Sequence, residues 1–179
     1  YTGKAAESDC VICPLGHYCV QESHLPVMCP PGQFGDQLGL KSSSCSTTCT
    51  SIVSMDDPDD VDNVICEASQ CEEGYFCPEG SVSQREVECG DVRLYCPAGS
   101  SIPVPVDEGY YTIGAPGIDN PANTTQVAQT LCEPGYYCID GSKYTCPQGY
   151  YGGSFGLSRY ECSGSCSPGY TCGFGATDS

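Results

Sequence analysis

The sequence predicts a small disulfide-rich fold of elongated tandem cysteine-rich modules, with short β-hairpins, mostly coil and almost no helix. Three observations carry this prediction. Cysteine makes up 17 of the 179 residues, a density typical of chains held by cross-links rather than by a large apolar core. The cysteines recur at fixed spacings, which indicates a repeat. The chain also has 22 Gly, 14 Pro and 13 Tyr, residues suited to tight turns and short strands.

The first repeated motif is C-x2-G-x2-C, which occurs four times, beginning at Cys13, Cys71, Cys132 and Cys166. The last two copies carry Pro before the central Gly. Pro presets the first central position of a type II turn, and Gly adopts the positive φ of the second. The aromatic residue after the Gly is suited to begin a strand. Each copy therefore predicts a tight turn that leads into a short hairpin.

A second motif, C-P-x-G-x-aromatic-G with a further cysteine sixteen positions after the first, begins at Cys29 and again at Cys146. Both copies end in x3-Cys, so residues 13–49 and 132–166 read as two copies of one unit. A different unit lies between them. The predicted organisation is unit A (10–49), an acidic insertion (50–65), unit B (66–114), a Pro/Gly/Asn/Thr loop (115–131), a second unit A (132–172) and the start of a truncated unit B (173–179).

Disulfide pairing does not follow from spacing alone, but the repeat constrains it. Cysteines six apart within one motif are expected to reach outward to different partners rather than close across the turn. The interleaved scheme pairs Cys13 with Cys29, Cys19 with Cys45, Cys49 with Cys66, Cys71 with Cys89, Cys77 with Cys96, Cys132 with Cys146, and Cys138 with Cys162. A rival scheme pairs Cys29 with Cys45 and Cys146 with Cys162. The interleaved scheme leaves Cys10 in need of an upstream partner and Cys166 and Cys172 in need of downstream ones, as in a piece cut from a continuing array.

The charge balance excludes several classes of protein. The chain has 23 Asp and Glu against 6 Lys and Arg, a formal net charge of −17, which repels nucleic-acid phosphates and anionic lipid surfaces. Apolar runs such as residues 102–106 are far shorter than the roughly 20 residues of a membrane span. We therefore expect neither nucleic-acid binding nor membrane insertion.

The acidic insertion contains the candidate residues for a metal site. Five carboxylates lie close together, and calcium prefers several converging oxygen ligands. An EF-hand would require Gly at its sixth position and a closing Glu, and neither is present. A solvated acidic loop, which could also dock a basic protein partner, is the favoured interpretation. We expect no cofactor; calcium would be the exception, with candidate ligands Asp56, Asp57, Asp59, Asp60 and Asp62.

One N-glycosylation sequon is present, at Asn123. It lies in the Pro/Gly/Asn/Thr loop, which is predicted to be exposed, so we expect an N-linked glycan there in a secreted chain.

Catalysis has no matching pattern, because His17 occupies an aromatic slot of a repeat and His24 lies in a loop. The chain is expected not to be an enzyme. The Tyr pairs Tyr110–Tyr111 and Tyr150–Tyr151 suit packing better than carbohydrate binding, because the same aromatic slots recur in each unit.

The motifs from Cys132 to Cys138 and from Cys146 to Gly152, with the Cys-Pro-Ala-Gly string at Cys96, resemble ephrin-receptor-like cysteine-rich repeats. Those modules are similar in turn to tumour-necrosis-factor-receptor repeats and occur in protist and algal surface proteins. The resemblance implies an extracellular, disulfide-laddered rod without catalytic activity.

Two functions fit this interpretation. The first is a structural segment of a cell-surface protein or an extracellular filament, mastigoneme- or coat-like, that associates with itself or with neighbouring modules. The alternative is a receptor ectodomain module that binds a protein ligand.

Overall fold

The structure is a computed structural model that describes residues 11–51, 64–114 and 124–179. Within these ranges it contains fourteen short strands and no helix. The strands pair two by two in chain order, the first with the second and the third with the fourth, which gives seven separate antiparallel hairpins. Seven disulfides in tandem accompany them. The predicted class, a small disulfide-rich fold of hairpins and coil, is confirmed.

The strands are β1 (His17–Tyr18), β2 (Val27–Met28), β3 (Thr47–Ser51), β4 (Val64–Ala68), β5 (Tyr75–Phe76), β6 (Val87–Glu88), β7 (Leu94–Tyr95), β8 (Val104–Pro105), β9 (Tyr110–Gly114), β10 (Gln126–Leu131), β11 (Tyr136–Ile139), β12 (Ser142–Thr145), β13 (Tyr150–Tyr151) and β14 (Gly164–Ser165). Most have only two residues, too few to be stable without further support.

The repeated glycine lies in a tight turn, as predicted. In the third C-x2-G-x2-C motif, the Tyr136 N–H donates to the Glu133 carbonyl at 3.2 Å, and Gly135 has a φ of +86°. In the fourth motif, Gly169 has a φ of +90° in the same kind of turn. Tyr136 begins β11, as expected. These glycines are required because residues with a side chain rarely adopt such a φ.

The disulfides differ from the interleaved scheme. All four pairs of cysteines six apart close on each other, with Cα atoms 5.8 to 6.0 Å apart, because the turn reverses the chain and brings its flanks within disulfide reach. The observed bridges are Cys13–Cys19, Cys29–Cys45, Cys71–Cys77, Cys89–Cys96, Cys132–Cys138, Cys146–Cys162 and Cys166–Cys172. The two pairings of the rival scheme are therefore present, and the six interleaved pairings other than Cys49 with Cys66 are corrected.

The remaining cysteine predictions have separate outcomes. Cys166 and Cys172 bond to each other, so neither needs a downstream partner. Cys49 lies directly opposite Cys66 in the β3–β4 ladder, the backbone register that their predicted bridge requires. That bridge and the partner of Cys10 lie outside what the structure describes.

Cystine forms the core. Ten of the twelve buried apolar residues are cysteines, and Phe34 and Val127 are the other two. All of the largest completely buried side chains are also cysteines. The prediction that cross-links replace a large apolar core is therefore confirmed for the described residues.

The two copies of unit A share the same hydrogen bonds. The Gly16 N–H donates to the Gly35 carbonyl at 2.8 Å, and the Gly135 N–H donates to the Gly152 carbonyl at 2.7 Å. The correspondence continues through four further pairs of bonds: Gly39 N–H to Cys13 O and Gly156 N–H to Cys132 O, Cys19 N–H to Leu40 O and Cys138 N–H to Leu157 O, Gly32 N–H to Cys77 O and Gly149 N–H to Cys172 O, and Gly80 N–H to Cys29 O and Gly175 N–H to Cys146 O. The C-terminal residues thus occupy the position of the first residues of a second unit B.

The β3–β4 hairpin is an insertion into this repeat. The Ser69 N–H donates to the Ser46 carbonyl at 2.8 Å, so the chain leaves the module and returns at one point. Cys71 comes 25 residues after Ser46, whereas Cys166 comes three residues after Ser163, its counterpart. The difference of 22 residues equals the length of segment 47–68. The counterpart of Cys166 in the fold is therefore Cys71, rather than the Cys49 that the sequence spacing had also aligned with it.

Candidate functional site: a tyrosine surface

Four tyrosines of the second unit A form one continuous aromatic surface. Tyr137 stacks on Tyr144 with ring centroids 5.4 Å apart and planes at 23°. Tyr160 meets Tyr137 edge-on at 6.3 Å and Tyr150 edge-on at 5.7 Å. Tyr144 and Tyr160 are exposed, and Tyr137 and Tyr150 are half-buried. We call these four residues the tyrosine surface.

The hairpin register and one disulfide position these rings. Tyr137 in β11 lies directly opposite Tyr144 in β12. Tyr150 begins β13, and the Cys146–Cys162 bridge draws the loop that carries Tyr160 back towards it. Offset-stacked and edge-on pairs of this kind contribute about 0.5 to 1.5 kcal/mol each beyond the burial of their area.

The first unit A shares the backbone hydrogen bonds named above but lacks this surface. There Tyr18 lies opposite Val27 in the β1–β2 ladder. Gln33 and Ser43 stand where the second copy has Tyr150 and Tyr160. With its amide oriented to satisfy its neighbours, Gln33 donates to the Ser43 carbonyl at 2.9 Å. The fold therefore does not require three of the four rings, and the expectation that the aromatic slots recur in each unit does not hold for them.

The two tyrosine pairs named in the sequence analysis are half-buried, so each ring packs in part against the protein. Tyr110 and Tyr111 belong to β9 and are half-buried, and so are Tyr150 and Tyr151 of β13. The Tyr111 hydroxyl donates to the Glu133 carboxylate at 3.1 Å, across the junction between unit B and the second unit A.

Lys143, in β12, contacts both of these residues at the same junction. Its Nζ lies 4.4 Å from the centroid of the Tyr111 ring and 5.1 Å from that of Tyr136, and 3.4 Å from a Glu133 carboxylate oxygen. The backbone N–H of Glu133 itself, with hydrogen bonds from Tyr111 and Lys143, lowers the pKa of its carboxyl. Burial by itself lowers the pKa of Lys143, but hydrogen bonds with Tyr111 and Glu133 raise it overall.

Two further ion pairs lie on the surface of unit B. Arg85 donates to both carboxylate oxygens of Glu72, at 2.8 and 2.6 Å, and this lowers the pKa of Glu72. Arg93 pairs with Asp91 in the same way and lowers the pKa of that carboxyl. Exposed pairs contribute little to stability. They hold the loops of the hairpins and neutralise part of a strongly acidic surface.

The candidate metal and glycan residues lie outside the described ranges. These are Asp56, Asp57, Asp59, Asp60 and Asp62, all in the segment between β3 and β4, and Asn123 in the segment between β9 and β10. Among the described residues no group of three or more His, Cys, Asp and Glu is arranged to hold a metal ion. Calcium binding and glycosylation both remain predictions.

The two histidines lie in the first unit A. The Nδ1 atom of His17, in β1, is 2.9 Å from the Leu15 carbonyl oxygen. His24 lines a groove beside Val11, Ile12 and Leu25. The nearest cysteines, Cys13 and Cys19, are bonded to each other, so neither offers a thiolate.

In comparisons with known proteins, no family model matches the chain and no curated protein is significantly similar to it in sequence. Nor does any helix long and apolar enough to cross a membrane occur in the described ranges. The fold and the bridges define the class of this protein as a small disulfide-rich module array. Such dense disulfides are typical of extracellular proteins.

Proposed function

We propose that the chain is a non-catalytic structural segment of an extracellular protein, in which disulfide-laddered modules stack in succession within a cell-surface protein or an extracellular filament such as a mastigoneme or coat fibre. One observation carries the proposal. The carbonyl of a turn glycine accepts a hydrogen bond from the N–H of a cysteine further along the sequence, and this occurs six times within the part of the chain that the structure describes.

The six bonds have nearly constant length, from 2.8 to 3.0 Å. They join Cys29 to Gly16, Cys71 to Gly32, Cys89 to Gly74, Cys132 to Gly109, Cys146 to Gly135 and Cys166 to Gly149. In such an array each motif contacts mainly its neighbours, and any number of motifs can be added without a larger core. An array of this kind suits a structural protein that is lengthened by the addition of modules.

The chemistry of the surface supports the same proposal. Disulfides persist in oxidising, extracellular surroundings. The net charge of −17 favours solubility in a crowded coat, and a glycan at Asn123 would have the same effect. The resemblance to ephrin-receptor-like repeats of protist and algal surface proteins points to the same setting.

The tyrosine surface supplies a lateral contact for such a fibre. Exposed aromatic rings provide large contact area at low cost in side-chain entropy and are enriched at protein interfaces. Because the first unit A folds with Val27, Gln33 and Ser43 in the corresponding positions, we assign the extra rings to contact with another molecule.

Negative-stain microscopy of the native material tests the proposal. Ordered polymers are expected; short isolated rods only would refute it and favour the receptor alternative.

A triple variant tests the lateral contact. Tyr144→Val, Tyr150→Gln and Tyr160→Ser install the residues of the first copy, so the seven described bridges should still form. The variant should give single thin strands instead of bundles, and the control Ile102→Ser, at an exposed residue of unit B, should bundle normally. Bundling by the triple variant would exclude the tyrosine surface as the lateral contact.

A further inference from the structure

The tyrosine surface carries phenol groups that ring packing does not use. Among the tyrosine hydroxyls of the described residues, that of Tyr111 forms hydrogen bonds, with Glu133 and Lys143. The four hydroxyls of the tyrosine surface have no hydrogen-bond partner within the described ranges. The exposed ones are therefore open to reagents in the solvent.

The two outer rings of this surface stay accessible when another module follows. Tyr144 and Tyr160 are 47% and 55% exposed. Their counterparts in the first unit A, Val27 and Ser43, are exposed as well. Unit B packs on that copy through the hydrogen bond from the Gly32 N–H to the Cys77 carbonyl. A module that follows unit A therefore does not cover this face.

Ring contacts connect the two exposed phenols. Tyr137 lies between them, with its ring centroid 5.4 Å from that of Tyr144 and 6.3 Å from that of Tyr160. Tyr150 extends the series from Tyr160 at 5.7 Å. An electron passes readily between aromatic rings in contact. A radical formed on either exposed ring is therefore shared among the four rings.

The other two exposed tyrosines in the described ranges lack these features. Tyr136 has the Lys143 ammonium 5.1 Å from its ring centroid, and a nearby positive charge opposes the loss of an electron. Tyr170 is 71% exposed but pairs with no other described ring. Exposure alone therefore predicts reaction at Tyr170, whereas the ring contacts predict reaction at Tyr144 and Tyr160.

Few other groups of the chain compete for one-electron oxidation. The chain has no Trp, whose indole is the other aromatic ring that readily loses an electron. The cysteines of the seven described bridges are already oxidised, so they offer no thiolate to reduce a tyrosyl radical. Radicals on the tyrosine surface are therefore expected to end by coupling with one another.

We infer that the tyrosine surface is a site of oxidative cross-linking, at which a peroxidase acting with hydrogen peroxide joins Tyr144 or Tyr160 of one copy to the same surface of a second copy. The product is a dityrosine bond. The inference rests on the proposed function, because the lateral contact brings two such surfaces together. The reaction converts a reversible contact of the fibre into a covalent one.

The cross-link consumes peroxide and leaves the phenol groups in place. Each of two phenols loses one electron and one proton and becomes a tyrosyl radical. Hydrogen peroxide takes up both electrons and both protons and is reduced to two molecules of water. The radicals form a carbon–carbon bond between ring positions next to their hydroxyls, and the hydrogens of those two carbons move to the phenol oxygens.

Phenylalanine variants test the inference on the chain with its disulfides formed. The chain is treated with peroxidase and hydrogen peroxide at a concentration at which it associates, and the products are then reduced and denatured. The unmodified chain should give dimers and larger species that survive reduction and show dityrosine fluorescence. Peptide mass spectrometry should place the bond at Tyr144 or Tyr160.

The double variant Tyr144→Phe with Tyr160→Phe keeps both rings and removes only their hydroxyls. It should associate like the unmodified chain and lose the species that survive reduction. The control Tyr170→Phe removes the most exposed phenol of the described ranges and should cross-link like the unmodified chain.

The outcomes separate this inference from the proposed function. Cross-linking that persists in the double variant and disappears in Tyr170→Phe would refute the inference, because exposure alone would then select the site. A bond found only between Tyr137 and Tyr144 of one chain would refute it as well. If native polymers occur but yield no dityrosine on acid hydrolysis, the inference fails and the fibre stands. If the native material is isolated rods only, the proposed function fails, whereas cross-linking of those rods through Tyr144 or Tyr160 would still support the reactive surface.

Discussion

Two glycines at the same position of the two unit A copies allow the contact between modules to be measured. Gly32 and Gly149 lie in the same turn, with φ values of +83° and +86°. A Cβ on Gly32 would overlap the carbonyl of Gly99, whereas nothing described lies within 4 Å of a Cβ on Gly149. The variants Gly32→Ala and Gly149→Ala therefore share the backbone strain and differ in the contact.

The magnitudes follow from the structure. An L-residue in a left-handed conformation costs about 1 to 2 kcal/mol, and both variants bear this cost. Gly32→Ala must also displace the Gly99 carbonyl, which disturbs two bonds of 2.8 and 2.9 Å, from Gly99 N–H to Cys71 O and from Cys71 N–H to Gly32 O. At about 0.5 to 1.5 kcal/mol for each hydrogen bond, the extra cost is about 1 to 3 kcal/mol.

Amide hydrogen exchange by mass spectrometry is the suitable assay, because it reports local opening while the disulfides stay intact. An extra 1 to 3 kcal/mol corresponds to exchange about 5- to 150-fold faster, since about 1.4 kcal/mol is a factor of ten. We expect this acceleration at the Cys71 and Gly99 amides in Gly32→Ala, beyond that at the Cys166 amide in Gly149→Ala. Equal acceleration in the two variants would refute the claim that the glycine contact joins the modules.

Two further predictions concern the insertion and the acidic junction. Deletion of residues 47–68 should leave all seven described bridges in a disulfide map, because Ser46 and Ser69 are already hydrogen-bonded and their fusion restores the spacing of the second copy; scrambled bridges would show that the hairpin is needed to fold. The pKa of Glu133 is lowered from its ordinary value of 4.5 because its contacts favour the charged carboxylate. These contacts therefore stabilise the junction at pH values above 4.5, and this stabilisation is lost as the pH falls through the lower pKa of the folded state. Lys143 side-chain resonances should therefore shift below about pH 4.5, and a shift that persists in Glu133→Gln would assign it to another group.

The turns were predictable because their chemistry is local. A Pro-Gly pair predicts a type II turn wherever it stands, and Gly135 and Gly169 have the positive φ that such a turn requires. The cystine core was predictable for a similar reason, since a chain with 17 cysteines and few aliphatic residues has little else to bury.

The bridges were not predictable from spacing, because pairing depends on how far each turn folds back. The expectation that Cys13 and Cys19 point apart was reasonable for an open turn, but the observed turn brings their Cα atoms to 5.9 Å. The tyrosine surface was also hidden in the sequence, since Tyr144 and Tyr160 are sixteen residues apart and meet through Tyr137. A comparison of the two copies position by position would have revealed that three of these rings are extra.

The class of fold, the repeat, the presence of an insertion and the positions of the turns follow from the sequence, because each depends on residues close together along the chain. The disulfide pairing, the extension of the predicted insertion from 50–65 to 47–68 and the stacking of one motif on the next emerge only from the three-dimensional arrangement. These depend on backbone carbonyls such as that of Gly99 reaching a glycine 67 positions away in the chain. Backbone atoms are the same in every residue, so the identities of the residues do not directly indicate where such contacts form.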